Sequence, residues 1–397
     1  MIEFADAAMS LVGALAWQRP AELMLPCRAE MLDAAGVRAL DAGQWEALAG
    51  AALEDNPWLS RQMVLGGLDA FGAQAGYRAL ALYRHGSEEL IGLMPFRVRG
   101  LGPLGVGEPA LNLYQVGGTP LIARDHAQLA MMGLLGVMGQ ASGLPRHWVF
   151  PHVAAHSTFM EMVAVKTARL GLEMGFAAAY ERPVLSRAAG DFAGHVEAVI
   201  GKKRAKDIER NLRRLEREGE VRFERATEPG AVARRIEDFL RIEAGGWKGE
   251  RGTALLSRPA DADFARRAFG GIGAASGLAS VDSLLFDGEP IAVSINIAAG
   301  ETLFTPKCAF DERYRKFGPG MALEYKVIEA FFADGAYQRM DAATTVDGHV
   351  ISGLWGETRT MGTLVVGPAG VTTRGLVAGI EMAARGKRAI KRKLGRE

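Results

Sequence analysis

The chain has 397 residues, a formal net charge of +1 and a hydrophobic fraction of 49%. This length and apolar content favour two domains with separate cores, and the near-zero charge excludes a general attraction to nucleic acid or anionic membranes. Two cysteines, Cys27 and Cys308, are too few for a disulfide framework and are typical of a reducing compartment. The seven histidines lack metal-ligand spacing, so we expect no metal site.

No segment predicts export or membrane insertion. The apolar stretch 7–17 follows Glu3 and Asp6, where a signal peptide would carry positive charge. The longest other apolar run, 129–137, is far shorter than the roughly 20 residues that span a bilayer. These features predict a soluble, cytoplasmic protein.

The first half of the chain predicts an α/β succession. Two amphipathic helices precede a strand pair across the polar turn 85–89. After a glycine-rich loop at 100–107, strands and helices alternate. In chain order the predicted helices are 44–53, 61–73, 125–140 and 157–170, and the predicted strands are 77–84, 90–98, 111–116, 148–151 and 177–185.

A strongly charged helix is predicted at 201–220, between the two halves. Its apolar residues follow the i, i+4, i+7 spacing and form one stripe: Ile208, Leu212 and Leu215. This pattern favours a solvated helix that docks by the stripe. No aromatic residues interleave with the charges for base stacking, so nucleic-acid binding is not expected.

The second half repeats the order of the first. It predicts a strand, two helices, three consecutive strands, a glycine turn, a long helix, and a final strand–helix–strand–helix series. The predicted strands are 221–227, 278–286, 290–297, 301–310, 337–342 and 359–366, and the predicted helices are 231–243, 261–275, 321–334, a short piece near 351–357, and 373–397. This shared order indicates a tandem duplication, although no obvious residue identity joins the halves.

The glycine turn has the sequence Arg315-Lys316-Phe317-Gly318-Pro319-Gly320, an R-x-x-G-x-G pattern. Glycines at this spacing allow a sharp turn and a close approach of the backbone to a ligand. The next helix directs its first N–H groups and its positive dipole end toward the turn, which favours a pyrophosphate. An ordinary strand-to-helix turn is the alternative.

Four segments carry a resemblance to a known family: KKRAKDIERNLRRLEREG at 202–219, Gly246-Trp247-Lys248, DGEPIA at 287–292, and 314–320. Over roughly 191–362 the chain resembles the GNAT acyltransferase fold. More narrowly it resembles the CelD/BcsL-like acetyltransferases of bacterial polysaccharide synthesis, relatives of the Fem-type tandem-GNAT transferases. The resemblance implies an α/β (α+β) fold of tandem GNAT domains with mixed, largely antiparallel central sheets.

The resemblance also implies that the motif after the fourth strand holds the pyrophosphate of acetyl-CoA or another acyl-CoA. The residues that match this role are Arg315, Lys316, Phe317, Gly318, Pro319, Gly320 and Met321. In this fold the fourth and fifth strands splay apart around the pantetheine arm. Pro306, which cannot donate a ladder hydrogen bond, fits that gap, and an edge-strand proline is the other interpretation.

The predicted domains are 1–190, a degenerate GNAT-like domain, 191–370, the GNAT domain that binds acyl-CoA, and 371–397, a basic C-terminal helix. In place of the glycine turn the first half has Val116-Gly117-Gly118-Thr119-Pro120, with no basic residue before the glycines. We therefore expect only the second half to bind CoA.

Three basic residues of the charged helix 201–220 are candidates for attracting an anionic acceptor or the CoA 3′-phosphate: Lys202, Lys203 and Arg204.

Acyl transfer to an amine needs a base within hydrogen-bond reach of the nucleophile, or through one water. The candidate catalytic residues are Asp341, after the fifth strand, Glu243, at the end of the helix 231–243, and His349, whose intrinsic pKa suits the task. For each a structural role is the alternative. Relatives often carry a Tyr-Lys pair after the fifth strand, whereas 341–355 has none. Either His349 or a water chain takes the role of the pair, or the protein uses a different acceptor.

Together these features predict an acyl-CoA-dependent N-acyltransferase that moves an acetyl or other acyl group to an amine. The resemblance alone implies that this amine belongs to an envelope polysaccharide or peptide-like precursor. One alternative is a Fem-like aminoacyl-tRNA-dependent transferase, which would not need the glycine turn. Another is a non-catalytic GNAT-fold scaffold of a polysaccharide synthase complex. The pattern of 373–397 favours a solvated, basic C-terminal helix, and peripheral contact with an anionic membrane is a further hypothesis.

Overall fold

The structure is a computed structural model that describes residues 25–100, 105–140, 143–271, 278–345 and 351–393. The chain divides into two compact units, each assembled from separated stretches of sequence. Unit 1 comprises Met1–Arg61, Ala73–Tyr180 and Thr360–Glu397, and unit 2 comprises Gln62–Gly72 and Glu181–Arg359.

Most described strands and helices follow the order that the sequence predicts, whereas β1 and α1 are not predicted by it. The strands are β1 (Arg28–Leu32), β2 (Arg78–Tyr83), β3 (Leu90–Arg99), β4 (Val106–Pro109), β5 (Leu121–Ile122), β6 (His147–Ala154), β7 (Leu172–Ser186), β8 (Val221–Ala226), β9 (Ala279–Phe286), β10 (Glu289–Ala299), β11 (Thr302–Phe310), β12 (Arg339–Asp341) and β13 (Glu357–Pro368). The helices are α1 (Ala34–Ala39), α2 (Ala42–Gly50), α3 (Arg61–Phe71), α4 (Ala127–Gln140), α5 (Thr158–Arg169), α6 (Phe192–His195), α7 (Lys202–Glu216), α8 (Pro229–Gly245), α9 (Trp247–Glu250), α10 (Pro259–Ala268), α11 (Pro319–Asp334), α12 (Ser352–Trp355) and α13 (Val371–Lys393).

Unit 1 contains a mixed sheet with the order β1-β2-β3-β4-β6-β13-β7, in which β5 also pairs with β3. The β4–β6 pair is parallel, whereas β1–β2, β2–β3, β3–β4 and β6–β13 are antiparallel. Of β7 and β13, residues 172–180 and 360–368 belong to this unit.

The predicted strand at 111–116 is wrong, because these residues form a loop held by side chains. The amide of Gln115 donates to the carbonyl of Trp58 at 2.6 Å, and the amide of Asn56 donates to the carbonyl of Thr119 at 2.6 Å. Leu113, which the alternating pattern would place in a strand, is 79% exposed. The strands of this region lie on either side of the loop, as β4 and β5.

The two glycines of this loop are used for close packing. A Cβ on Gly117 would lie 2.3 Å from Cδ1 of Trp58, and one on Gly118 would lie 2.2 Å from the carbonyl oxygen of Pro151. Protein atoms therefore occupy the space that glycine leaves at both positions, which argues against a phosphate cradle here.

Unit 2 contains a mixed sheet with the order β7-β12-β11-β10-β9-β8. The β11–β12 pair is parallel and the others are antiparallel. Helices α7 and α11 cover one face of this sheet with a shared core that includes Leu215, Leu284, Leu323, Val327 and Phe331. The predicted stripe on α7 is confirmed, since Ile208, Leu212 and Leu215 are all buried in this core.

Candidate functional site

The predicted glycine turn joins β11 to α11 in unit 2. A 3₁₀ turn, Glu312–Phe317, follows β11, and α11 then begins at Pro319 with Gly318 as its N-cap residue. Gly318 has φ 62° and ψ 49°, the left-handed conformation that favours glycine. Because glycine has no side chain, no side-chain hydrogen bond caps the helix. The N–H groups of Gly318 and Met321 donate to the carbonyls of Arg315 and Gly318, at 3.0 and 3.1 Å, whereas the N–H of Gly320 has no backbone partner among the described residues. The N-terminus of α11 is therefore open at Gly320, and an open helix N-terminus is an arrangement that binds anions.

The side chains of the turn divide into anchors and surface charges. Phe317 and Pro319 are buried, and Phe317 belongs to the core of unit 2. The Lys316 ammonium lies 4.5 Å from the centre of the Phe317 ring and 3.4 Å from a carboxylate oxygen of Glu218. Arg315 is exposed and forms no ion pair with any described residue. Arg315 can therefore approach an anion at the helix N-terminus without breaking an existing salt bridge.

Strands β11 and β12 separate after a short parallel contact. They pair only at Thr302–Arg339, Leu303–Met340 and Phe304–Asp341. Beyond Phe304, the edge of β11 that faces away from β10 has no strand partner among the described residues, which leaves a gap beside residues 305–310.

A β-bulge marks the start of the gap. Phe304 pairs with Ile297 and Lys307 with Ile295, so Thr305 and Pro306 together face one residue of β10. The hydroxyl of Thr305 is buried and has no hydrogen-bond partner in the described structure. Pro306 thus lies at a bulge next to a strand gap, as the first of its two interpretations expects.

Lys307 and Cys308 lie beside the gap and point to opposite faces of the sheet, because successive strand residues alternate. Burial, and next the nearby Lys248 ammonium, lower the pKa of Lys307. Cys308 is exposed to solvent, yet enough protein surrounds the thiol that burial raises its pKa to about 12. Part of the residue is thus in contact with solvent, while the sulfur lies in a recess. A thiol with so high a pKa is a poor nucleophile.

Asp341, a predicted catalytic residue, lies at the end of β12 in a buried ion pair. Its Oδ1 is 3.6 Å from Nη1 of Arg182, and the two side chains are 1% and 2% exposed. The same oxygen accepts the N–H of Ala343 at 2.7 Å. The Nε of Arg182 donates to the carbonyl of Thr344 at 3.0 Å. These contacts fix the chain just after β12.

Glu243, the second predicted catalytic residue, lies in the last turn of α8 and is 5% exposed. Its Oε1 accepts from Nζ of Lys248 at 2.7 Å, and its Oε2 accepts the N–H of Leu255 at 2.9 Å. Both carboxylate oxygens are thus engaged in holding the segment after α8. The third predicted residue, His349, lies outside the described residues.

Glu324, on α11, is a buried carboxylate that the sequence reasoning missed. It is 7% exposed, and its Oε1 accepts from Nε1 of Trp355 at 2.7 Å. A signal was present in the sequence, because Glu324 falls at i, i+3, i+7 with Val327 and Phe331 on the apolar face of the predicted helix. A carboxylate on a buried stripe is uncommon and indicates a specific role.

An aromatic and cationic patch lies close to the glycine turn. Trp247 is 49% exposed, and its backbone N–H donates to Oε1 of Glu312 at 3.0 Å. The Arg251 guanidinium and the Lys248 ammonium lie 5.0 and 5.9 Å from the centre of the Trp247 indole. In the described ranges, no three His, Cys, Asp or Glu side chains come together as a metal site.

Comparisons with known proteins agree with this arrangement. Residues 202–349 match a family model described as an acetyltransferase (GNAT) domain. Among solved structures the chain is similar to FemX, with 11% identity, a TM-score of 0.56 and coverage of 85% of this chain and 96% of that one. It is also similar to a C-terminal domain (DUF2156) from Agrobacterium fabrum, with 11% identity, a TM-score of 0.50 and coverage of 87% and 96%.

A tandem GNAT protein from the clavulanic acid biosynthesis pathway has 12% identity, a TM-score of 0.40 and coverage of 87% of this chain and 99% of that one. A search of curated protein sequences returned no match. At these identities the structural likeness concerns the fold alone. The predicted mixed α/β fold class is confirmed, while the narrower CelD/BcsL-like resemblance stays a prediction. Within the chain, residues 202–349 match the GNAT acetyltransferase domain, and they contain the glycine turn and the strand gap.

Proposed function

We propose that the protein is an acyl-CoA-dependent N-acyltransferase whose acyl-CoA site lies in unit 2. The observation that carries this proposal is the uncapped N-terminus of α11, which opens at a left-handed glycine beside the unpaired Arg315. The match of residues 202–349 to a GNAT acetyltransferase domain supports it. The acyl donor is acetyl-CoA or another acyl-CoA.

The residues of the turn fit a pyrophosphate in charge and shape. The N–H of Gly320, the positive end of the α11 dipole and the charges of Arg315 and Lys316 would hold the phosphates, while Phe317 anchors the turn in the core. The unpaired edge of β11 at 305–310 offers backbone groups to a pantetheine arm. With the pantetheine arm along this edge, the thioester would lie in the gap beside Cys308.

The acceptor is proposed to be an amine on an envelope polysaccharide or peptide-like precursor. The exposed Trp247, flanked by Arg251 and Lys248, provides an apolar ring and positive charge, features suited to a sugar or an anionic group. Lys202 is already paired with Glu197, and Arg204 donates to the carbonyl of Gly353. Of the two cations beside Trp247, Lys248 is paired with Glu243, whereas Arg251 forms no ion pair with any described residue. The patch around Trp247 thus offers a free cation that Lys202 and Arg204 do not.

We propose that only the C-terminal GNAT domain, 191–370, binds CoA. The packed glycines of the 111–120 loop support this division, because Trp58 and Pro151 fill the space that a phosphate would need. The N-terminal domain, 1–190, would then have a supporting role.

Catalysis is proposed to rest mainly on positioning of the amine and the thioester. The contacts of Asp341 and Glu243 favour positioning roles, because both carboxylates already accept hydrogen bonds or ion pairs. His349 stays a candidate base by prediction, as does the cytoplasmic location of the enzyme.

Substitution of Arg315 by alanine is expected to weaken acetyl-CoA binding about 10- to 100-fold. A charge-assisted hydrogen bond contributes about 1.5–3 kcal/mol, which corresponds to this range. Calorimetric titration of the folded variant with acetyl-CoA measures the dissociation constant. Arg313→Ala is the matched control, because Arg313 lies on the same 3₁₀ turn and already pairs with Asp311. Its affinity should stay within about threefold of the parent.

Two results would redirect the proposal. Equal loss of affinity in both variants would mean that general positive charge, rather than a site at Arg315, attracts CoA. If the parent binds neither acetyl-CoA, longer acyl-CoAs nor CoA at millimolar concentration, the acyl-CoA function is wrong. A Fem-like aminoacyl-tRNA-dependent transferase or a non-catalytic scaffold would then be favoured.

Peripheral membrane contact is proposed for the basic helix α13. Among the helices described, none is both long and apolar enough to cross a membrane. One side of α13 packs on unit 1, where Glu381 accepts the N–H of Ala178 at 2.8 Å and Arg388 donates to the carbonyl of Ala179 at 2.9 Å. The other side exposes Met382 and Ile390, which are 71% and 59% exposed.

Deletion of 387–397 is expected to reduce binding to liposomes that contain anionic lipid, because each lysine or arginine near such a surface contributes about 1 kcal/mol. Co-sedimentation with anionic and with neutral liposomes measures the effect. If the deletion variant sediments with anionic liposomes as much as the parent does, the proposed membrane contact is wrong.

A further inference from the structure

Glu324 has one engaged and one free carboxylate oxygen. Its Oε1 accepts the indole N–H of Trp355, a residue of α12 that is fully buried. Its Oε2 accepts no hydrogen bond from any described residue. Unlike the hydroxyl of Thr305, Oε2 is not a fully buried atom without a partner, so this oxygen reaches the solvent-accessible surface and is open to a ligand.

The register of the sheet places this carboxylate on the same face as Cys308. Cys308 pairs with Ser294, and Ser294 pairs with Asp282, so the three side chains lie side by side on one face. Leu284, two residues after Asp282, is on that face too and belongs to the core formed with α11. Glu324 therefore lies over the face of the sheet onto which the Cys308 side chain projects.

Glu324 and Cys308 also lie at the same depth from the glycine turn. A Cβ on Gly320 would lie 3.1 Å from Cδ1 of Phe310, so Gly320 and the end of β11 are neighbours. Glu324 is four residues beyond Gly320, about 6 Å along a helix axis. Cys308 is two residues before the end of β11, about 7 Å along the strand. After burial, the Glu324 carboxylate is the next cause that raises the pKa of Cys308. The two groups are thus neighbours beside the strand gap.

The other titratable groups around α11 each have at least one polar contact. Asp282 on β9 binds the Arg225 guanidinium at 2.7 and 3.0 Å and accepts from the amide of Asn296 at 2.9 Å. Glu209 on α7 accepts from the hydroxyl of Tyr325, and His195 on α6 contacts the carbonyl of Leu354. The pKa of Glu324 is raised to about 7. Burial is the main cause, the Trp355 hydrogen bond partly offsets it, and the negative charge of Asp282 adds to it. Both protonation states of Glu324 are accordingly accessible at neutral pH.

We propose that Glu324 is the proton donor to the CoA sulfur in acyl transfer. This inference rests on the proposed acyl-CoA function. The amine nitrogen attacks the thioester carbonyl carbon and forms the C–N bond. As the C–S bond breaks, its electron pair stays on sulfur, which takes the proton of the Glu324 carboxylic acid. The excess proton on the new amide nitrogen returns to the Glu324 carboxylate through solvent, so charge and protons balance.

The test follows the indole of Trp355, whose fluorescence reports the ionisation of its hydrogen-bonded partner. We expect a transition near pH 7 in the parent that is absent in Glu324→Gln and in Trp355→Phe. Saturating acetyl-CoA should move the midpoint upward by at least about half a pH unit, because an acyl arm in the gap excludes water from the carboxylate. Single-turnover release of CoA thiol from acetyl-CoA, with hydroxylamine as the amine, should slow about 100-fold in Glu324→Gln, with the acetyl-CoA dissociation constant unchanged.

The outcomes separate this inference from the function on which it rests. If acetyl-CoA binds but leaves the titration midpoint in place, Glu324 does not face the thioester and the inference is wrong. A Glu324→Gln variant that keeps the parental rate and its decline above pH 7 would overturn it too. If acetyl-CoA does not bind the parent, the acyl-CoA function itself fails, and the role of Glu324 falls with it.

Discussion

Replacement of Asp341 by alanine is expected to destabilise unit 2 by about 3–5 kcal/mol, because it removes one member of a buried ion pair. The Arg182 guanidinium, 2% exposed, would lose the carboxylate 3.6 Å away. The N–H of Ala343 would lose its acceptor at the same time. Urea denaturation followed by circular dichroism measures the free energy of unfolding.

The matched control is Glu237→Ala, which removes an ion pair with Arg266 at the protein surface. Exposed pairs contribute at most about 1 kcal/mol, so this variant should unfold close to the parent. Asp341→Asn keeps the size of the side chain and tests the catalytic role separately. If Asp341→Asn retains parental stability and loses acyl transfer, Asp341 acts on the substrate and the positioning role is wrong.

Glu324→Gln is expected to stabilise the protein at alkaline pH by about 3 kcal/mol. The unfolded carboxyl releases its proton near its ordinary pKa of 4.5, whereas the native one holds it until about pH 7. Between these values the native state binds more protons, so the free energy of unfolding falls as pH rises. At about 1.4 kcal/mol for each pH unit of this interval, the loss is complete above pH 7 and amounts to about 3 kcal/mol. The glutamine variant carries no such penalty.

The comparison requires denaturation of parent and variant at pH 5 and at pH 8.5. Glu329→Gln is the control on the same helix, since Glu329 lies at the surface and pairs with Lys326. It should follow the pH dependence of the parent. Equal stability differences for Glu324→Gln at both pH values would show that the native carboxyl ionises normally and that its burial has little cost.

Much of unit 2 could be predicted because its signals are local. The alternation of 278–310 gives three strands, Gly318 requires a left-handed turn, and Pro306 cannot continue a ladder. Each of these depends on a residue and its immediate neighbours. The stripe of α7 is likewise a short-range pattern, and burial in the core follows from it directly.

The failures concern information that the local pattern does not contain. The alternation at 111–116 resembles a strand, but contacts from Asn56 and to Trp58, more than fifty residues away, hold those residues as a loop. The partners of Asp341 and Glu243 could not be read either, because a carboxylate looks the same in sequence whether it is free or bonded. Glu324 was visible as a charge on an apolar stripe, and only the sheet register shows that it lies beside Cys308.

The return of β13 to unit 1 has a consequence for how the protein is made. Residues 360–368 pair with β6, from Met361 with Ala154 to Val366 with Trp148. A ribosome adds these residues only after every residue of unit 2. During synthesis the edge of β6 that later pairs with β13 therefore stays unpaired, and unpaired strand edges promote aggregation. The N-terminal unit is the later one to mature, and a fragment that ends at residue 190 is expected to aggregate.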